Sequence, residues 1–238
     1  MIRVLPFSST LITAIFAAAV LLRYARRGGL HSLLWGIGLV LYGLGTFSEA
    51  FLGLVYSPFM LRVWYISGAM LTAAWLGQGT LYLLVRKRGF AHAAMLGLAL
   101  ASVVAIIAVM AVPMNPAAAY NIHLPASVQY RAILSRGALI VTLTILLNIY
   151  GTLALVGGAI YSAFIFWRKR VLPNRVIGNV LIAAGALLPA GAGTFVKLGL
   201  ADWLYLSELL GAAIMFIGFL QATAHQPSPA PAIQPAQP

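Results

Sequence analysis

The chain has 238 residues, of which 62% are hydrophobic and only 8% carry a charge. Because roughly a quarter of the residues in a soluble domain are charged, this composition excludes a soluble globular protein. The sequence contains no cysteine, which excludes disulfides, thiol nucleophiles and thiolate metal sites.

Seven long apolar stretches follow one another along the chain. Each is close to the roughly 20 residues that a helix needs to cross the ~30 Å hydrocarbon core of a bilayer. Because a backbone in lipid must satisfy its own hydrogen bonds, we predict an all-α, polytopic bundle of seven transmembrane helices within residues 1–225. The predicted spans are residues 8–22, 32–52, 59–85, 93–112, 137–166, 176–198 and 204–224.

Two segments lie outside these spans. Residues 113–136 contain Pro113, Pro116 and Pro125 together with polar side chains, which predicts an irregular or partly helical loop on the outer side, a candidate lid. Residues 226–238 alternate proline mostly with Ala, Gln and Ser, which predicts a disordered cytoplasmic tail.

The net charge of +12 is distributed unevenly over the joints between the spans. Ten of the fifteen Lys and Arg residues lie in the joints that follow the first, third and fifth spans. Since Lys and Arg collect on the cytoplasmic side of a membrane, we predict a multi-pass protein of the inner (cytoplasmic) membrane. Its amino terminus is then outside and its carboxyl terminus is in the cytoplasm. The lipid bilayer is the expected partner, and nucleic acid is not.

A short motif occurs twice, 148 residues apart. Residues 43–49 read GLGTFSE, and residues 191–197 read GAGTFVK. At the same offset, Arg27 corresponds to Arg175, and each of them ends a basic joint. These matches predict a parallel repeat with a 3+1+3 plan, in which the first three spans resemble the last three and the fourth is a linker.

Charged residues inside the spans are few, and they lie near the outer boundary. Glu49 and Arg62 flank the turn between the second and third spans, while Lys197 and Glu208 flank the turn between the sixth and seventh. A charge costs about 2.5–3.5 kcal/mol at mid-membrane, so each of these side chains is expected to face a partner or water. Glu49 shares one helical face with Tyr42, Gly45 and Thr46.

Three interpretations of these charges stay open. The residues form two ion pairs that fix the hairpins, or they line an outward-opening polar pocket, or the basic side chains anchor at lipid headgroups. In the pocket interpretation the candidate ligand-binding residues are Glu49, Arg62, Tyr65, Lys197, Asp202 and Glu208, with Arg136 at the mouth.

Other residues within the spans have predicted structural roles. Gln78 and Asn148 predict hydrogen bonds between helices, and Pro189 predicts a kink in the sixth span. Close helix packing is predicted at the glycines in positions 36, 43, 185, 211 and 218. An aromatic belt at the membrane boundary is predicted for Tyr56, Trp64, Trp167 and Trp203.

Enzyme signatures are missing from the sequence. There is no phosphate-binding glycine loop, no histidine pair at i, i+4 spacing and no close pair of carboxylates on one helix. The four histidines lie outside the middle of the spans, so no haem or other metal site is evident. The seventh span contains no lysine that would attach a retinal. The cofactor, if the protein has one, stays unknown.

Three short patterns carry a family resemblance: LWG at 34–36, FSE at 47–49 and RVWY at 62–65. They resemble the heptahelical input domains of some bacterial membrane sensor proteins, with an acidic residue late in helix two and a basic, aromatic start to helix three. The 238 residues include no kinase, cyclase or other output domain, so the resemblance implies a separate signalling partner.

Two functions follow as alternatives. The first is a receptor-like or accessory membrane protein that binds a small molecule or a partner subunit through its outward-facing polar cluster. The second is a small-molecule transporter with 3+1+3 topology, in which the two helix triplets alternate access to a site near Glu49 and Glu208.

Overall fold

The structure is a computed structural model that describes residues 4–85, 89–115, 118–170, 172–197 and 202–224. Residues 192–197 and 202 are described by their backbone only. The described ranges contain eight helices: α1 Leu5–Arg27, α2 Leu30–Leu52, α3 Pro58–Leu84, α4 Phe90–Ala111, α5 Ala126–Ile133, α6 Ala138–Arg168, α7 Pro173–Lys197 and α8 Asp202–Thr223.

All of the described helices except α5, seven in number, are long and apolar enough to cross a membrane. Large apolar side chains cover the outside of the bundle, among them Leu11 and Leu96, each 63% exposed, and Leu153, 70% exposed. Such exposure is unfavourable in water and costs nothing against acyl chains. The prediction of an all-α bundle with seven membrane-spanning helices is therefore confirmed.

Six of the helices form a closed ring in which each packs against its two neighbours, in the order α1, α2, α3, α6, α7 and α8. The remaining long helix, α4, lies outside the ring against α3 and α6. The joints around 53–57 and 112–137 lie at one end of the bundle, which we call the loop end. The joints around 28–29 and 169–172 lie at the opposite end, which we call the basic end. The 3+1+3 repeat itself stays a prediction.

Small residues let the helices approach closely, as predicted for most of the glycines. A Cβ atom added at Gly211 of α8 would lie 2.7 Å from the Gly185 carbonyl oxygen of α7, and Gly218 is equally close to the α7 backbone. A Cβ at Gly36 would overlap a side chain of α1. At Gly43 the nearest neighbour of an added Cβ would be 3.8 Å away, so close packing does not require glycine there.

The contact between α3 and α6 also depends on glycine. A Cβ at Gly77 of α3 would lie 2.7 Å from the carbonyl oxygen of Gly151 in α6, and a Cβ at Gly151 would overlap the backbone of Ala73. The two backbones therefore touch near the middle of the bundle, where no larger side chain fits.

Each of these two helices contains a π-helical stretch that no sequence signal predicted, Tyr65–Leu71 in α3 and Leu153–Gly157 in α6. A π-helical turn disturbs the regular ladder of backbone bonds, so side chains bond carbonyls there. In α3 the Thr72 hydroxyl donates to the Ser67 carbonyl, and the Asn148 amide of α6 donates to the Ala69 carbonyl, both at 2.8 Å.

Gln78 joins three helices inside the bundle. Its side-chain amide donates to the Ala91 carbonyl of α4 at 2.8 Å, and its carbonyl oxygen accepts a hydrogen bond from the Tyr150 hydroxyl of α6. Gln78 is fully buried, so these two bonds replace the water that the amide loses.

The segment between α4 and α6 folds over the loop end as a compact cover. Met114 pairs with Leu134 through an isolated antiparallel bridge, and α5 buries Ala126 and Ile133. This agrees with the predicted irregular loop with a short helix. Pro116 and the predicted tail, residues 226–238, lie outside the described residues, as do Arg86, Lys87 and Arg88 of the third joint.

The backbone contact between α3 and α6 predicts the effect of Gly151→Ala. The added methyl group forces the two helices apart, and such overpacking lowers the free energy of unfolding by about 1–3 kcal/mol. Circular dichroism melting in detergent measures this loss. Gly97→Ala in α4 is the control, because an added Cβ meets nothing within 4 Å there. Equal melting temperatures for the two variants would contradict the prediction.

Candidate functional site

A cavity of about 420 Å³ lies inside the helix ring, in its loop-end half. Its walls come from α2, α3, α6, α7 and α8, and the cover segment contributes Ser127, Tyr130 and Arg131 to its lining. Most of the wall is apolar and small. Its polar lining within the helices comes from Tyr42, Thr46, Trp64, Thr72, Asn148, Thr152 and Glu208. The size and the few converging polar groups are those of a small-molecule site.

Glu208 is the acidic side chain in the cavity wall. Its Oε2 atom is buried and has no hydrogen-bond partner among the described residues. The Tyr42 hydroxyl donates to the main-chain carbonyl of Glu208 at 2.8 Å and so ties α2 to α8. Glu49 lies near enough to repel the Glu208 carboxylate. The cavity wall therefore includes a residue with a buried carboxylate oxygen that no described group neutralises.

Glu49 lies near the end of α2 and is 3% exposed. The Trp64 indole of α3 donates to its Oε2 atom at 3.2 Å, the Tyr205 side chain of α8 hydrogen-bonds to the carboxylate, and the backbone of Ala126 lies beside it. Its Oε1 atom has no well-formed hydrogen bond within the described part of the chain. Trp64, and not Glu49, lines the cavity, so this carboxylate lies behind the wall.

Arg62 does not pair with Glu49, so the ion-pair interpretation is wrong for this hairpin. Its Nη2 atom donates to the Val112 carbonyl at 2.9 Å, and its buried Nε atom has no partner among the described residues. Val112 caps the end of α4, where the last carbonyls lack partners within the helix and the helix dipole favours a cation. Arg62 therefore ties α3 to α4.

Tyr65 attaches the cover segment to the ring. Its hydroxyl lies 2.9 Å from the Thr144 hydroxyl of α6 and accepts a hydrogen bond from the Arg136 guanidinium at 3.1 Å. The same guanidinium lies 4.6 Å from the centre of the Tyr130 ring. Arg136, which the sequence placed at the mouth of a pocket, therefore anchors the cover.

A second aromatic contact holds the other side of the cover. Tyr120 stacks on Tyr56 with ring centres 4.8 Å apart. Burial raises the pKa of Tyr120 above its ordinary value, and the charge of Glu49 adds to this effect. The Tyr120 hydroxyl therefore stays neutral, and the stack adds no charge to the loop end.

Two of the six candidate residues, Lys197 and Asp202, have side chains outside the described part of the structure. Of the other four, Glu208 lines the cavity, whereas Glu49, Arg62 and Tyr65 do not belong to its wall. No group of three His, Asp or Glu side chains within the described residues could hold a metal ion.

Several cavity residues were assigned other roles from the sequence or were missed. The predicted α2 face is present, since Tyr42, Gly45 and Thr46 all line the cavity. Trp64 was placed in the aromatic belt, but it is 7% exposed and bonds Glu49, so that prediction is wrong. Arg131 was missed, although a basic residue in a loop bounded by prolines was the available signal.

The hydrogen bond between Trp64 and Glu49 predicts a coupling between their substitutions. Trp64→Phe removes the donor and leaves a buried carboxylate with fewer bonds, so it lowers the free energy of unfolding by about 1–3 kcal/mol. In a Glu49→Leu background the same change costs less, because no acceptor is left. Helical melting in detergent measures both effects. Trp203→Phe, at a side chain that is 54% exposed, is the control. Strict additivity of the two substitutions would contradict this hydrogen bond.

Comparison with family models, with curated proteins and with solved structures found no match to this chain. The resemblance to heptahelical sensor input domains therefore stays a prediction, and the candidate site is interpreted from its own geometry.

Proposed function

We propose that this integral membrane protein is receptor-like and binds a small organic molecule with a cationic group in the cavity beneath the cover segment. The observation that supports this most directly is the buried Glu208 Oε2 atom, which has no described partner although its residue lines the cavity. We also propose that the loop end faces the outside, as the distribution of Arg and Lys favours.

The surroundings of Glu208 favour a cation. A buried carboxylate without a counter-ion is costly, and the nearby Glu49 increases that cost through repulsion. A cationic group on the ligand removes both penalties. Tyr42 and Trp64 in the wall supply aromatic rings that attract the same kind of group. Asn148 and Thr152 offer hydrogen bonds to the rest of the molecule.

The cavity volume sets the size of the ligand. About 420 Å³ lies within the range of roughly 300–1,000 Å³ that is typical of small-molecule sites. Arg131 lines the cavity from the cover segment, so a ligand that also carries an acidic or polar group would be favoured there. A peptide or protein segment would need the cover to open.

The packing near the middle of the bundle favours a receptor over a transporter. Gly38 of α2 lies directly against Leu76 of α3, and Gly77 lies against Gly151. Phe16 of α1 stacks on Phe216 of α8 with ring centres 5.0 Å apart. A path through the bundle would have to separate these contacts, whereas binding under the cover would not.

A transporter remains the alternative because of one set of observations. Pro189 of α7 and both π-helical stretches contribute residues to the cavity wall, and irregular helical turns of this kind are frequent at functional sites. In that alternative these turns would be the hinges of alternating access.

Charged thiol reagents test the proposed charge preference. The chain has no cysteine, so Ala69→Cys and Ala186→Cys each place one thiol in the cavity wall. A trimethylammonium methanethiosulfonate should react faster than a sulfonate methanethiosulfonate, by about tenfold after correction with the exposed control Asn121→Cys. Adding Glu208→Gln should abolish most of this preference. Equal corrected rates in the variant with Glu208 intact would contradict a cation site.

The side of access separates the two functions. In oriented vesicles, the cysteines at 69 and 186 should react with membrane-impermeant reagents added at the loop end only. Ala74→Cys, at a fully buried position outside the cavity wall, should stay unreactive from both sides. Reaction of the cavity cysteines from both sides would favour the transporter over the receptor.

A further inference from the structure

A second concave surface lies at the basic end, where α6 turns into α7. Its volume is about 560 Å³, and it lies at the opposite end of the bundle from the cavity. We call this surface the basic groove, and we define it by Phe166, Trp167, Arg168, Arg170, Val176 and Ile177.

Arginine side chains crowd this end of the bundle. Arg168 and Arg170 line the groove, and the Arg175 guanidinium lies 5.4 Å from the centre of the Phe166 ring. Arg23 at the end of α1 is close enough to Arg175 for the two charges to repel each other. The groove therefore lies in a positive potential that more than one helix produces.

No acidic side chain of the chain balances this charge. The sequence contains three Asp and Glu residues, and Glu49, Asp202 and Glu208 all belong to the loop-end halves of their helices. An anion that neutralises the groove must therefore come from outside the protein chain. Arginine favours phosphate, because its planar guanidinium offers paired donors.

The wall of the groove identifies the source of that phosphate. Trp167 is 67% exposed and Ile177 is 52% exposed, and both lie beside the arginines at the boundary of the membrane-spanning segments. A free phosphate ion gains no stabilisation from contact with an apolar wall. A phospholipid has acyl chains that cover such a wall and a charged headgroup that reaches its rim.

We propose that the basic groove binds an anionic phospholipid, with its phosphate on Arg168 and Arg170 and its acyl chains along Trp167 and Ile177. This site is independent of the function proposed for the cavity. It differs from the general preference of cytoplasmic joints for basic residues, because it requires the arginines of this groove and its apolar wall together.

Native mass spectrometry of the full chain in a nonionic detergent tests the proposal. The probes are phosphatidylglycerol and phosphatidylcholine with the same acyl chains. The natural chain should retain phosphatidylglycerol preferentially, and Arg168→Gln/Arg170→Gln should weaken that binding about tenfold or more. Both arginines are exposed, so melting without lipid should stay unchanged. Unchanged preference for phosphatidylglycerol in the double variant would overturn the site.

Two further experiments distinguish a lipid site from an effect of overall charge and from a site for free phosphate. Arg26→Gln/Arg27→Gln removes the same charge at the same end of the bundle, from residues outside the groove, and should weaken binding much less. If Arg26→Gln/Arg27→Gln weakened binding as much as Arg168→Gln/Arg170→Gln, the effect would reflect overall charge, and the proposal would be overturned.

The apolar wall is tested separately. Trp167→Ala should weaken phosphatidylglycerol binding, and glycerol 3-phosphate should fail to compete with phosphatidylglycerol for the groove. Competition at equal concentration would assign the groove to free phosphate instead.

Discussion

Polar side chains packed inside the bundle have no water to bond, and this constraint accounts for the hydrogen bonds that join neighbouring helices. In a bilayer an unsatisfied polar group costs several kcal/mol, so a side chain that carries one bonds either its own helix or a neighbouring one. Gln78 bonds α4 and α6, and Arg62 bonds the carbonyl that α4 leaves open at its end. Asn148 bonds a carbonyl in the π-helical stretch of α3. These three polar residues thus connect neighbouring helices. Of the span residues that have a buried side-chain atom without a described partner, which are Ser9, Glu49, Arg62 and Glu208, only Glu208 lines the cavity.

Small residues decide how closely the helices of the ring approach one another. Near the middle of the bundle, glycines bring backbones into contact, as at Gly77 and Gly151. In the loop-end half, Gly45 of α2 faces Gly68 of α3, and an added Cβ at Gly45 would lie 2.8 Å from the Gly68 Cα atom. The backbones of α2 and α3 therefore touch at this point as well. Gly45, Gly68 and Ala69 all belong to the cavity wall, where their small side chains occupy little of the space inside the ring.

The chain also separates its charges along the membrane normal. Its three acidic residues belong to the loop end, and most of its arginines and lysines belong to the basic end. Ion pairs between the two groups are prevented by the distance across the bundle, since unlike charges attract strongly only at a few ångströms. The arginines of the basic end therefore have no acidic partner from this chain, whereas the acids of the loop end lie among Arg62, Arg131 and Arg136. This separation supports the anionic lipid expected in the basic groove, and the cation expected in the cavity depends instead on the surroundings of Glu208.

Composition and periodicity were sufficient to predict the seven spans, because lipid requires long apolar helices whatever their order. They also predicted the close packing at Gly185 and Gly211, and the face of α2 that carries Tyr42 and Thr46. The partner of a charge could not be predicted in this way. Arg62 and Glu49 flank one turn in the sequence, yet the end of α4 offers Arg62 a carbonyl with no helical partner.

Three further features were likewise decided only in the tertiary structure. They are the π-helical stretches, the burial of Trp64, and the attachment of the cover by Tyr65 and Arg136. The physical reason is the same in each case. These features depend on which groups of distant segments meet, and spacing along one helix contains no information about that. The sequence by itself determined that the chain is a membrane bundle with its acids at one end. Only the packing of α2, α3, α6, α7 and α8 decided that one of those acids, Glu208, lines a cavity.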